Sequence, residues 1–275
     1  MKKNKKITER INYNRIINGY CLICKQYGKL TKDHVPPKGS VTITKREQRT
    51  ISESHPDIFD NIKGLPTFRA STFKTICRDC NSTLLSQFDK EICAVTKSIT
   101  SKVKDYFTLA NKIYPYIEVP FDSKKFTRGM TGHILSASSI KACLSPIPDS
   151  PFFSPLRDYV SGKTATFEDT HDIYYWFYPH TTHISAQGLA FFNEGHICEC
   201  SLLHFFPIAF LITLKGQGTF PAHAQRLKLN DEKIRFHMSV YNISFSSFPF
   251  VELKGNQMLA FNDEFTCISY PIKND

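Results

Sequence analysis

From Ser82 onward, apolar residues recur every three or four positions: Leu84, Leu85, Phe88, Ile92, Val95, Ile99, Val103 and Phe107. That period lays one stripe along a helix and predicts an amphipathic helix over residues 82–108. A second helical pattern covers residues 124–144, with Phe126, Met130, Ile134 and Ala137 on one side. Between them, KIYPYIEVPF (112–121) reads as extended, and SPIPDSPFFSP (145–155) is dense enough in proline and serine to predict a loop. Beyond it the chain turns to runs of β-branched and aromatic residues: DIYYWFY, HISAQGLAFF, HICECSLLHFF, IAFLITL, KIRFHMSVYNI and FPFVEL. These predict strands, with YYWFY (174–178) showing both faces of a buried one. Residues 1–18 are polar and basic, a short helix or loose arm, and residues 41–68 predict a short strand and then a long loop. The fold class is α+β, divided near residues 108–112 into segments 1–110 and 111–275.

Composition narrows the setting. With 41% apolar and 22% charged residues, the 275-residue chain has a globular balance. The longest apolar run, LLHFFPIAFLITL (202–214), is too short for a membrane span and is broken by Pro207. MKKNKK is not followed by the apolar stretch of an export signal, so the expectation is a cytoplasmic protein with no membrane partner. The net charge of +10 is unevenly placed: residues 1–110 hold 21 Lys and Arg against 10 Asp and Glu, and the remainder is close to neutral. That asymmetry points to a polyanionic partner for the first segment only.

Nine cysteines occur in a chain expected in a reducing compartment, where closely paired cysteines suggest metal rather than disulfides. Cys21-x2-Cys24 and Cys77-x2-Cys80 form two pairs, each suited to a tight turn that aims two sulfurs at one ion. Four thiolates make a closed tetrahedral zinc site, structural because no position is left for substrate. Cys93, Cys143, Cys198, Cys200 and Cys267 read as core or neutral positions. Between the pairs lies KDHVPPKGS (32–40), where Asp33-His34 is either a polar turn or a catalytic pair. Asn81 directly follows the fourth cysteine, at the predicted helix start. His171, His180, His183, His196 and His204 show no metal spacing, and HTTH (180–183) reads as surface histidines.

The order CLIC, DHVPP, FKTICRDCN resembles the HNH (His-Me finger) endonuclease family, in the version whose ββα-metal core is tied by a four-cysteine zinc. The resemblance covers about residues 20–95. It implies a zinc-bound ββα-metal nuclease domain in the first segment, ahead of the long helix and the β-rich C-terminal domain of unknown type that the apolar pattern predicts. It implies metal-dependent hydrolysis of DNA phosphodiester bonds, leaving a 5′-phosphate and a 3′-hydroxyl, in the manner of bacterial restriction or anti-phage nucleases. His34 matches the general base, and Asp33 and Asn81 match the ligands of a catalytic Mg²⁺ or Mn²⁺. Lys29, Lys32, Lys38, Lys45, Arg46, Arg49, Lys74 and Arg78 are candidate phosphate contacts.

Two positions depart from the family pattern. Thr72 stands where members carry a middle asparagine, with Asn61 in the inserted loop as a substitute, and Leu85 stands where some members carry a further histidine ligand. The alternative is therefore a catalytically inactive, zinc-containing nucleic-acid-binding module with a partner-binding C-terminal domain. The expected partner is double-stranded DNA, with RNA not separated from it. A homodimer, or an activator protein acting through the C-terminal domain, fits the same organisation.

Overall fold

The computed structural model describes residues 7–10, 16–41, 45–54, 62–108, 115–193, 196–218, 220–221, 223–238, 257–260 and 266–272. Asn61, the last five residues of KIRFHMSVYNI (239–243) and all of FPFVEL (248–253) lie outside them.

The first segment opens with a one-turn helix α1 (Ile7–Arg10), then strands β1 (Asn18–Tyr20), β2 (Tyr27–Val35), β3 (Lys45–Thr50), β4 (Leu65–Phe68) and β5 (Ser71–Cys77). A π-type helical stretch, Asp79–Leu85, runs directly into helix α2 (Ser86–Thr108). There follow β6 (Tyr116–Pro120), α3 (Ser123–Ser136) and α4 (Phe153–Ser161). The remaining strands are β7 (His171–Phe177), β8 (His183–Asn193), β9 (His196–Phe205), β10 (Ile208–Leu214), β11 (Gln225–Leu227), β12 (Lys233–His237), β13 (Gln257–Ala260) and β14 (Cys267–Pro271).

The described residues form three sheets. A small antiparallel sheet has the order β1-β2-β5, and β12 pairs with β6. The large sheet runs β11-β7-β10-β9-β8-β14-β3-β4, with β13 also on β8. Its central strands are buried on both faces, which is why their sequences read as nearly unbroken apolar runs. One face (Tyr175, Phe177, Leu203, Phe205, Phe210, Ile212) joins the core formed by Ile92 and Ile99 of α2, Met130 and Ile134 of α3, and Leu156 of α4. The opposite face forms a second core around Tyr174, Trp176, Tyr178, Leu202 and Leu211.

Helix α3 starts at Asp122, whose side chain accepts a hydrogen bond from the Lys125 amide at 3.0 Å, an N-cap. It ends at Ser136 rather than near residue 144, and a separate 3-10 turn occupies Ile140–Cys143. Gly129 allows α2 and α3 to touch, since a Cβ there would stand 2.7 Å from Ile92 Cδ1 and 2.8 Å from Phe88 Cβ. The expected loop at 145–155 gives way to α4 at Phe153. Pro155 is tolerated because first-turn N–H groups have no intrahelical partner, and Gly162 closes the helix at φ 83°.

The short strand expected within 41–68 is β3, and the long loop expected after it ends in a further strand, β4. These extend the large sheet through the pairing of β3 with β14, so strands from both sides of residue 110 share one sheet. One apolar cluster likewise runs from Ile7 to Cys267.

Candidate functional site

The six-residue loop between β1 and β2 carries the first cysteine pair. The Lys25 amide donates to the Cys21 carbonyl at 2.9 Å, and the Cys21 amide to the Gln26 carbonyl at 3.0 Å, folding the loop into a tight knuckle. Lys25 adopts a left-handed φ of 62° to complete it. The second pair spans the end of β5 and the first helical turn, so both turns point at one place. The four Sγ atoms lie within 4.8 Å of one another. Zinc–sulfur bonds of about 2.3 Å in a tetrahedron require sulfurs about 3.8 Å apart, and Cys24 Sγ and Cys77 Sγ are 3.8 Å apart.

The thiols are electrostatically interdependent. Cys21 is drawn down to about 5, first by its hydrogen bond with Cys80 and against the opposing effect of burial. Cys24 is pushed up to about 11, first by burial. Cys80 is pushed up by the same Cys80–Cys21 hydrogen bond and then by burial. Without a cation Cys21 ionises readily while Cys24 and Cys80 hold their protons, and a dication at the centre would favour the thiolate form. The donor set and spacing could hold a zinc ion. Among the described residues it is the one group of three or more His, Cys, Asp or Glu side chains arranged for a metal.

The small sheet then fixes KDHVPPKGS. In the β2–β5 ladder Asp33 faces Phe73 and His34 faces Thr72, with an irregularity between Thr31 and Asp33. Opposed residues of an antiparallel pair share a face, and neighbours along a strand take opposite faces. Asp33 therefore turns inward with Phe73, and both are buried. His34 and Thr72 share the other face and are half-buried. Asn81 ties the helix start to this strand, its Nδ2 donating to the Lys32 carbonyl at 2.8 Å and to Thr31 Oγ1 at 3.0 Å.

Burial lowers the His34 pKa below its usual value, and Lys38 adds to the effect. The ring is thus uncharged at neutral pH and able to accept a proton. Asp33 sits in a different environment. Its Oδ1 accepts the His34 backbone N–H at 2.8 Å, and its Oδ2 accepts from His133 Nδ1 at 3.0 Å and from Ser136 Oγ. His133 Nε2 donates to Asp89 Oδ1 at 2.8 Å. The result is a bridge from β2 through α3 to α2. Burial works against a charged His133, but Asp33 and Asp89 outweigh it and lift the imidazole to about 10. Burial likewise opposes the Asp33 charge, and His133 and Ser136 overcome it and lower its pKa.

The sequence-expected residues thus fall into three groups. The four cysteines come together, His34 and Thr72 lie side by side, and Asn81 anchors the helix to their strand. Asp33 does not present an open ligand to a hard cation, because both carboxylate oxygens are engaged and the side chain is buried. Asp33 therefore does not fit as a ligand of a resident Mg²⁺ or Mn²⁺. Lys29, Lys32, Lys38, Lys45 and Arg78 are exposed. Arg46 and Arg49 are not phosphate contacts: Arg46 is fully buried on Ser269 and the Thr181 carbonyl, and buried Arg49 pairs with Glu47. Lys74 donates to the Ile16 carbonyl at 2.7 Å. Nor is His183 a surface residue, since it is buried beside Arg46.

Sequence reasoning missed His133, Asp89 and Ser136. A signal was present, because His133 follows Met130 by three positions and so falls on the apolar side of the predicted second helix. No helix among the described residues is long and apolar enough to cross a membrane. No protein-family model, curated protein or solved structure matches the chain.

Proposed function

We propose that the protein is an endonuclease of HNH type that hydrolyses DNA phosphodiester bonds, with His34 as general base. The observation that carries this reading is the placement of His34: an uncharged, half-buried imidazole on the outer face of β2, beside Thr72 and next to a helix start pinned by Asn81. His34 takes a proton from water as the water oxygen bonds to phosphorus. The bond from phosphorus to the 3′ oxygen breaks, and that oxygen leaves with the electron pair and is protonated by solvent. Exposed Lys29, Lys32, Lys38 and Arg78 supply positive charge for flanking phosphates. The four-cysteine cluster, closed to substrate, fixes the loop before β2 against the helix start.

The second reading is a zinc-containing nucleic-acid-binding module without catalysis. The inward engagement of Asp33 favours it. Plasmid cleavage separates the two. Purified protein and His34→Ala are incubated with supercoiled plasmid in Mg²⁺, in Mn²⁺ and in EDTA. The nuclease reading expects nicking or linearisation by the wild type, with a loss of about 10²-fold or more in the variant. Equal DNA binding by both proteins with no cleavage under any condition would leave only the binding module.

A further inference from the structure

The acid beside the proposed base is where the expected chemistry and the observed geometry part. We propose that Asp33 is a positioning residue for His34, held in place by His133 and Asp89, and not a cation ligand. Residues of α3 then become part of the nuclease site. This inference rests on the nuclease reading of His34.

Three observations converge. The first is parity: Asp33 and His34 are neighbours on an extended strand, so an outward base requires an inward acid. Phe73, directly across from Asp33, is buried as well, so the acid is on the core face. The second is occupancy. Three donors from two elements converge on one carboxylate: the His34 backbone N–H of β2, and His133 Nδ1 and Ser136 Oγ of α3. A cation would have to displace them at a site only 4% exposed.

The third observation is what the engagement does. Oδ1 holds the backbone N–H of the base itself, so the orientation of the carboxylate is coupled to the backbone from which the His34 ring projects. Oδ2 is fixed by α3, and α3 is fixed to α2 through Asp89. Asp89 lies on the same continuous helical run as Asn81, which grips β2 one residue earlier, at Lys32. The strand is therefore registered against that helix at two points, one direct and one relayed through His133. Placement of this kind matters to a general base, because small displacements of a reacting group cost large factors in rate.

The test uses the full chain with Asp33→Asn and Asp89→Asn side by side. Ser136→Ala is a third variant that removes one donor without changing a charge. Each is first checked for cysteine-bound zinc and a cooperative thermal transition. Three quantities are then measured: the His34 Cε1–H resonance by NMR, Mn²⁺ binding by EPR titration, and the kcat and KM of plasmid nicking. Both acid variants should move the His34 resonance and lower kcat by about tenfold or more. KM should stay within about twofold, the Mn²⁺ titration should be the same in wild type and variants, and Ser136→Ala should act in the same direction with smaller size.

If Asp33→Asn alone weakens Mn²⁺ binding by about tenfold or more while Asp89→Asn changes nothing, Asp33 is a cation ligand and the proposal is overturned. An unmoved His34 resonance in all three variants overturns it too. If the wild type cuts no DNA yet the resonance moves in both acid variants, the positioning stands and the nuclease reading falls.

Discussion

His204 offers a prediction whose size follows from its surroundings. It sits on β9, fully buried, with the Trp176 ring 5.1 Å away and the Tyr178 ring 5.3 Å away. Neither ring nitrogen has a hydrogen-bond partner. Burial, with a smaller contribution from His180, pushes its pKa down to about 3. In the unfolded chain the same imidazole titrates near about 6.5. Between those values the unfolded state takes up a proton that the folded state refuses, so stability falls as pH falls. Linkage over pH 7 to pH 5 gives a loss of about 2 kcal/mol from this one side chain. The result barely depends on the exact folded value, since pH 5 lies well above it. His204→Phe keeps a ring and cannot titrate. Its packing cost is independent of pH, and the titrations of buried His171, of His183 and of the cysteines are common to both proteins. Urea denaturation of wild type and His204→Phe at pH 7 and at pH 5 isolates the term. The stability gap should move by about 2 kcal/mol in favour of the variant on acidification, about 1 M in urea midpoint. A gap that stays the same at the two pH values would show that the folded ring binds a proton freely and would refute the reasoning.

Three further outcomes follow from the same structure. Cys80→Ser should abolish stoichiometric zinc, measured by plasma mass spectrometry, and cost several kcal/mol in thermal unfolding; full zinc retention would remove the tetrathiolate site. Gly129→Ala should destabilise by about 1–2 kcal/mol, because the methyl meets Phe88 Cβ, which cannot swing aside, and this outweighs the helix preference of about 1 kcal/mol for alanine. A rise in urea midpoint for that variant would count against close α2–α3 contact. Asn81→Asp replaces a donor with an acceptor facing the Lys32 carbonyl, so a loss of about 1–3 kcal/mol is expected by calorimetry. An unchanged or higher melting temperature would show that the amide hydrogen bonds contribute nothing.

The parts of this fold legible in the sequence are those fixed by local periodicity. The stripe from Leu85 to Val103 is buried as its spacing requires, although the helical stretch begins earlier, at Asp79. The runs around Tyr175, Leu203 and Phe210 are strands because such residues need cover on both faces. Strand β3 was only partly visible. KREQRT has the look of a solvated segment, yet Arg46, Gln48 and Thr50 are buried. What permits that burial includes Ser269 and the Thr181 carbonyl, far away in sequence and beyond any local signal. The same holds at the site. Spacing exposed the four cysteines, and the inward turn of Asp33 is fixed only once β5 is known to pair with β2. His133 is 100 residues from Asp33.

The position of β2 suggests why a chain would spend a buried charged bridge here. Replacing such groups with apolar ones of similar size is often neutral or stabilising, so stability alone is a weak reason for Asp33, His133 and Asp89. Registration is a stronger one. An apolar contact fixes distance loosely and direction hardly at all, whereas hydrogen bonds at both ends of an imidazole fix the angle between strand and helix. The cysteine cluster holds the loop that leads into β2, Asn81 holds its middle, and the bridge holds the residue beside His34. All three tie the strand and its loop to the helical run that begins at Asp79, the last through α3, and none occupies the outer face of His34. That distribution is what a catalytic side chain requires: support from behind, with the reactive side left free. It also makes α3 inseparable from the proposed site. A change at Asp89, on the far side of His133 from the strand, should therefore reach His34 while leaving the zinc cluster intact.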